Sequence, residues 1–174
     1  YNSGQTVSVQ ATPNTGYKFS SWSGDASGSN NPISITMNTP KNIVANFNTS
    51  TAVTISFASS PSGLQVTVDG ANYTTPVSFQ WTPGSQHSVS TSSPQSGPSG
   101  TRYVFSSWSD GGAQSHTITT PSTNTTYTAN FTTQYSLTTS ANPTNGGTVS
   151  PSGTNWYNSG QTVSVQATPN TGYK

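Results

Sequence analysis

"YNSGQTVSVQATPNTGYK", residues 1–18, recurs letter for letter as residues 157–174. The identity holds at every position and fixes an offset of 156 residues, a match that chance does not supply. Self-similarity at a fixed period is the signature of repeat architectures, in which each unit leaves apolar surface for its neighbours to cover. The stretch therefore predicts a tandem array, seen through one full period and the opening of the next, and neither Tyr1 nor Lys174 is expected to be a natural terminus. Within it, Val7 and Val9 alternate with Thr6, Ser8 and Gln10 between the turn formers Gly4 and Pro13. That period of two is the pattern of a half-buried strand.

Outward from this stretch the same alternation returns in ISITM (33–37), IVANF (43–47), VTISFA (53–58), LQVTVDG (64–70), HSVST (87–91), RYVFSSW (102–108), HTITT (116–120) and YTANF (127–131). Each run is strand-sized and bounded by Gly, Pro or Asn, and no stretch keeps a helical period. Composition agrees. Only 28% of residues are hydrophobic and 4% charged, yet the 10% aromatic content and net charge of +1 are not those of a disordered chain, which carries high net charge and few aromatics. Ser, Thr, Asn and Gln with 16 Gly and 12 Pro suit many short strands joined by turns. The expected class is all-β: tandem small antiparallel modules of sandwich or β-grasp-like type, two per 156-residue period, with little or no helix.

Four basic residues make no polybasic patch, so neither nucleic acid nor membrane insertion is expected of this segment. The absence of cysteine removes disulfides, thiol catalysis and cysteine metal sites.

A second, degenerate repeat lies inside the first. YKFSSWSGD (17–25) matches YVFSSWSDG (103–111), and NIVANF (42–47) matches TYTANF (126–131), with an apolar alternating strand between the blocks in both copies. QTVSVQATP (5–13) has a looser partner in GSQHSVSTSSP (84–94). The period thus holds two related modules. One spans residues 51–133; the other begins in residues 134–174, crosses the period boundary and ends in residues equivalent to 1–50. Phe19, Trp22 and Phe47 in one, and Phe105, Trp108 and Phe131 in the other, are the expected core aromatics.

Joining residues 135–174 to the continuation that residues 19–50 supply gives a sequence that resembles the divergent InlB B-repeat family of bacterial and archaeal surface modules. The matching positions are Gly146 to Val149, Tyr157 to Gly160, Ala167 to Pro169, Gly16, Tyr17, Phe19, Trp22 to Asp25 and Ala45 to Phe47. The opening of the other module, GLQVTVDGANYTTPVSFQWTPGSQHSV (63–89), is similar to the PEGA class of surface β-repeats, with a Val-Asp-Gly hairpin at its start. The resemblance implies an extracellular or cell-surface location, and partners that are neighbouring copies of the same repeat.

Catalysis needs a nucleophile with a base, paired carboxylates or a metal. The chain offers three Asp, no Glu and two His. Asp25 and Asp110 follow equivalent Trp residues and Asp69 sits in an Asp-Gly turn, so all three are expected to cap turns. No catalytic residue, metal site or cofactor is expected. Trp81 and Trp156 each precede a Gly-containing turn; they are core candidates, or planar faces for sugar stacking. Asn48, Asn72, Asn124 and Asn130 begin Asn-x-Ser/Thr sequons and are candidate glycan acceptors. The expected function is a structural repeat unit of a long extracellular stalk, fibre or filament. The alternatives are a carbohydrate- or receptor-binding adhesin module, or a spacer attached to a secreted enzyme.

Overall fold

A computed structural model describes residues 1–174, which form strands and turns and no helix. The strands are β1 Gln5–Val9, β2 Tyr17–Gly24, β3 Ile33–Met37, β4 Ile43–Thr49, β5 Val53–Ser60, β6 Gln65–Val68, β7 Ala71–Thr74 and β8 Val77–Trp81. There follow β9 Gln86–Ser90, β10 Gln95–Ser96, β11 Thr101–Trp108, β12 Ser115–Thr119, β13 Thr125–Thr139, β14 Gly147–Ser150, β15 Gly153–Asn158 and β16 Gln166–Pro169. The chain folds into two compact units, one of Tyr1–Ser56, Ser78–His87 and Thr117–Thr125, the other of Phe57–Val77, Ser88–His116 and Thr126–Lys174.

In the first unit β1 pairs antiparallel with β3, setting Val7 opposite Ile35 and Val9 opposite Ile33, the apolar residues of both alternations. β2 pairs antiparallel with β4, with a register shift between Phe19 and Ser21. This bulge explains the Phe-Ser-Ser-Trp spelling. In a regular strand, residues three apart point to opposite faces. One extra residue at Ser20 turns Trp22 back to the side of Phe19, and the two rings meet at 5.1 Å.

The second unit repeats the device. β11 pairs antiparallel with β13, the register shifts between Phe105 and Ser107, and Phe105 and Trp108 lie 6.2 Å apart. β13 is long, 15 residues, and pairs with β11 along one stretch and with β15 along another. Residues 134 and 135 have partners on both sides: Gln134 faces Arg102 and Asn158, and Tyr135 faces Thr101 and Tyr157. The module boundary expected between residues 133 and 134 therefore falls inside one continuous strand. β6 and β7 form the hairpin expected of Val-Asp-Gly, closed by Asp69 and Gly70 at φ 49° and 82°. Two positive φ values make a type I′ turn, which Asp-Gly accommodates and which follows the strand twist.

The buried apolar residues are unevenly placed. Ile55, Phe57, Leu64, Val66, Val68, Val89, Trp108, Ile118, Tyr127 and Ala129 all lie within residues 51–133, whereas outside that span only Ala11 and Trp22 are buried. Of the expected core aromatics, Trp22 and Trp108 are buried, Phe19, Phe105 and Phe131 are half-buried, and Phe47 is 39% exposed. Phe47 departs from the expectation: it meets Phe19 edge-on at 6.1 Å, yet more than a third of its surface stays open, while the equivalent Phe131 is half-buried.

Candidate functional site

The two aromatic clusters can be laid over one another. Phe19 meets Phe47 edge-on at 6.1 Å, and Phe105 meets Phe131 edge-on at 5.9 Å. The Trp22 Nε1 donates to the Asn30 carbonyl at 2.7 Å, and the Trp108 Nε1 donates to the Gln114 carbonyl at 3.2 Å. Each buried indole thus ties down the loop after its own strand, meeting the need of a buried N–H for an acceptor. Asn46 and Asn130 donate to the hydroxyls of Ser21 and Ser107 across the paired strands, at 3.4 and 3.3 Å. What differs is the surrounding: Trp108 also packs against Phe57 at 6.4 Å and His116 at 5.9 Å.

Each carboxylate accepts backbone hydrogen bonds. Asp25 Oδ2 takes the Asn42 N–H at 2.6 Å, Asp69 Oδ1 takes the Ser88 N–H at 2.9 Å, and Asp110 Oδ1 takes the Gly112 N–H at 3.0 Å. Asp110 Oδ2 also faces His116 Nε2 at 3.0 Å, while His116 Nδ1 lies 2.7 Å from the Ala113 carbonyl. Burial pushes the Asp110 carboxyl up, but the Gly112 N–H and the hydrogen bond and charge of His116 outweigh it, leaving the group below its ordinary value. Burial, with a smaller contribution from the Asp110 charge, raises the Tyr127 hydroxyl. No group of three metal-ligating side chains forms. The hydrogen bonds of the three carboxylates, and of His116 beside Asp110, fix loops and turns.

Trp81 is half-buried and its ring stacks on His87 at 3.5 Å and on Phe79 at 5.1 Å. Trp156 is half-buried with the Arg102 guanidinium 4.6 Å from its ring centroid. Arg102 Nε in turn donates to Gln134, whose amide donates to Asn158, a polar row across β11, β13 and β15. Nothing in the sequence alone pairs Arg102 with Trp156; the cross-strand register brings them together.

The sequons divide by what their side chains do. Asn48 and Asn130 use the amide nitrogen, the atom a glycan would take, to donate to Ser20 and Ser107. Asn72 and Asn124 are exposed and use the oxygen, accepting from the Thr67 hydroxyl at 2.7 Å and the Thr54 N–H at 2.8 Å.

The two copies of the eighteen-residue stretch occupy different structures. In the first copy Gln5–Val9 is β1, paired with β3, and residues 10–13 belong to no strand. In the second copy residues 161–165 belong to no strand, while Gln166–Pro169 is β16, paired antiparallel with β14, and Tyr157 lies in β15 opposite Tyr135. Tyr157 is half-buried, but its counterpart Tyr1 is 84% exposed; Val9 is half-buried, but its counterpart Val165 is 51% exposed. Each copy lacks the pairing the other has. The large exposed apolar residues follow the same division: Tyr1, Tyr17, Val44, Phe47, Tyr135, Val165 and Tyr173 all lie within residues 1–50 or 134–174, and none within 51–133.

The bulged aromatic strand and the closing Ala-Asn-Phe strand occur twice in this all-β chain, and the eighteen-residue stretch occurs at residues 1–18 and 157–174. The family model of the divergent InlB B-repeat domain matches residues 1–51 and 137–174, just over half of the chain. The chain belongs to the divergent InlB B-repeat domain family. The match does not extend over residues 52–136, which hold the Val-Asp-Gly hairpin. No curated protein and no solved structure matches the chain.

Proposed function

We propose that the chain is the structural repeat unit of a long extracellular or cell-surface array, a stalk or filament whose length follows the number of periods. The carrying observation is the divided pairing of the duplicated stretch: a tandem neighbour supplies each copy with the strands it lacks. Membership of a repeat-domain family supports this role. So does the near absence of charge, since net +1 over 174 residues lets many copies lie end to end without self-repulsion. The modules run 51–133 and 134 through to the equivalent of residue 50, and their partners are further copies of the same repeat.

Chains of one, two and three covalent periods test the proposal. Their maximum dimension, from small-angle scattering or cryo-electron microscopy, is expected to rise by a constant increment per period. A dimension that grows only as the cube root of mass overturns it.

Asn72 and Asn124 are proposed as the glycan acceptors, because both are exposed with the amide oxygen held and the nitrogen not donating to Ser as in Asn48 and Asn130. Intact-glycopeptide mass spectrometry of the protein from its natural source is expected to find modification there ahead of the other two. Occupancy at Asn130 with none at Asn72 or Asn124 overturns this ranking.

A further inference from the structure

We propose that Arg102, held against Trp156 on the face of β11, β13 and β15 turned away from the buried side, binds the carboxylate of an acidic saccharide, a uronate-bearing oligosaccharide. The inference goes beyond the structural role of the chain and does not rest on it.

The face follows from the register. Side chains alternate along a strand. Tyr127 and Ala129 of β13 point to the buried side, so Gln134, Ser136 and Thr138 point away from it. Cross-strand pairing sets Arg102 and Asn158 beside Gln134, Trp156 beside Ser136, and Thr154 beside Thr138. Arg102 therefore reaches across β13 to Trp156, where its guanidinium lies 4.6 Å from the ring centroid.

Arg102 is the one arginine of the chain. Its Nε donates to Gln134 Oε1 at 2.7 Å, and Gln134 is itself held by donating to Asn158 Oδ1 at 2.8 Å. The two terminal nitrogens of the fork are left without an acceptor from the chain. None of the three carboxylates answers them, since Asp25, Asp69 and Asp110 are held by the N–H groups of Asn42, Ser88 and Gly112. Two parallel N–H donors carrying a full positive charge match a carboxylate in both shape and charge. The ring and the Gln134 amide have already ordered the side chain, so little rotamer freedom remains to be lost on binding. Trp156 acts by seating the cation, because the ring face under Arg102 is not free to stack a sugar.

The surroundings select a saccharide. Asn158 is exposed with its amide nitrogen donating to nothing in the chain, and the hydroxyls of Thr138 and Thr154 lie 2.9 Å apart on the same face. Asn158, Trp156 and Thr154 stand at every second residue of β15, a line of about 13 Å at about 3.3 Å per residue. Such a line offers amide and hydroxyl partners to sugar hydroxyls and one cation to one carboxylate. A run of acidic peptide side chains finds no second cation in it.

Nuclear magnetic resonance of the isotope-labelled 174-residue chain, titrated with a galacturonate trisaccharide, is the test. The Arg102 Nε–H and Trp156 indole N–H signals are expected to shift together and to saturate with a Kd of about 1 mM. The methyl-esterified trisaccharide keeps every ring and hydroxyl but loses the charge, and is expected to bind roughly tenfold more weakly. Arg102→Lys keeps the charge but loses the fork, and is expected to weaken binding of the acid roughly tenfold, with the amide signals of β13 checking that the sheet is intact. If that variant does not fold, acid against ester on the unaltered chain decides alone. Arg102 and Trp156 signals that stay in place up to about 10 mM acid overturn the site. Equal affinity for acid and ester, or an unchanged affinity in a folded Arg102→Lys, overturns the pairing of guanidinium with carboxylate. A triglutamate peptide bound as tightly as the trisaccharide overturns the saccharide class.

Discussion

Residues 51–133 and residues 1–50 spell the same aromatic signature, fold it with the same bulge and bury its tryptophan, yet the first sets three rings against that tryptophan and the second one. Trp108 packs on Phe57, Phe105 and His116; the ring contact of Trp22 is Phe19. Phe131 is half-buried and Phe47 is 39% exposed, although each meets its partner phenylalanine at nearly the same distance and angle. Local sequence thus sets the bulge, the strand pairing and the indole hydrogen bond. Whether those local choices enclose a core depends on the strands that the rest of the module delivers.

The largest test of this contrast is at the tryptophans. Trp108→Ala is expected to lower stability by about 3–5 kcal/mol, the range for removing a large buried aromatic, and Trp22→Ala by clearly less, both read by urea denaturation. Equal costs break the comparison, because they mean that residues 1–50 hold their tryptophan as tightly as residues 51–133 hold theirs.

Gly24→Ala probes the half-module from its backbone. Gly24 has φ +84°, and a Cβ there would lie 2.3 Å from the Asn42 carbonyl oxygen, so the β2–β4 pairing must shift; a loss of about 2 kcal/mol is expected. The loss should fall on residues 1–50 alone, with hydrogen-exchange protection of β11 and β13 unchanged. Loss of protection in both places denies that the modules have separate local stability.

A smaller and more informative difference lies at the phenylalanines. Phe131→Ala is expected to cost about 2 kcal/mol and Phe47→Ala about 1 kcal/mol in the 174-residue chain, in keeping with the area each buries. In a chain extended by a further period, the two costs should converge as the split module is completed. A gap that stays the same under extension contradicts completion by the neighbouring repeat.

The smallest effect is electrostatic and belongs to residues 51–133, where His116 faces Asp110. The folded Asp110 carboxyl titrates below the ordinary value of 3.8, so its contribution is present above that pH and is lost as pH falls through the lower folded value. Asp110→Asn is expected to cost about 1 kcal/mol at neutral pH and to flatten the acid limb of the stability profile of this module. An acid limb unchanged by the substitution assigns it to other groups.

Much of this was legible in the sequence. The alternations around Val7, Ile35, Val66 and Ile118 each became a strand, and the Asp-Gly pair became a two-residue turn, because period-two burial and positive φ are properties of a few adjacent residues. The family was legible too, as a set of spaced short motifs. The bulge was not: the Phe-x-x-Trp spacing breaks the strand period, and the sequence shows the break without saying that an extra residue absorbs it. Nor was the extension of β13 past residue 133, since TTQYSLTT has no clean alternation and owes its strand form to β11 on one side and β15 on the other. Of the candidate site, the sequons and aromatics could be enumerated, but which amide nitrogen donates, and which indole lies under Arg102, depends on cross-strand register.

That long strand has a mechanical consequence. β13 runs 15 residues through the boundary expected after residue 133 with neither glycine nor proline in it, and at residues 134 and 135 it is flanked by β11 and β15. Such a junction has no hinge. Tension applied along β13 would load the ladders on either side of it in shear, many hydrogen bonds at once, rather than peel them one at a time, so this strand should be among the last parts of the chain to yield.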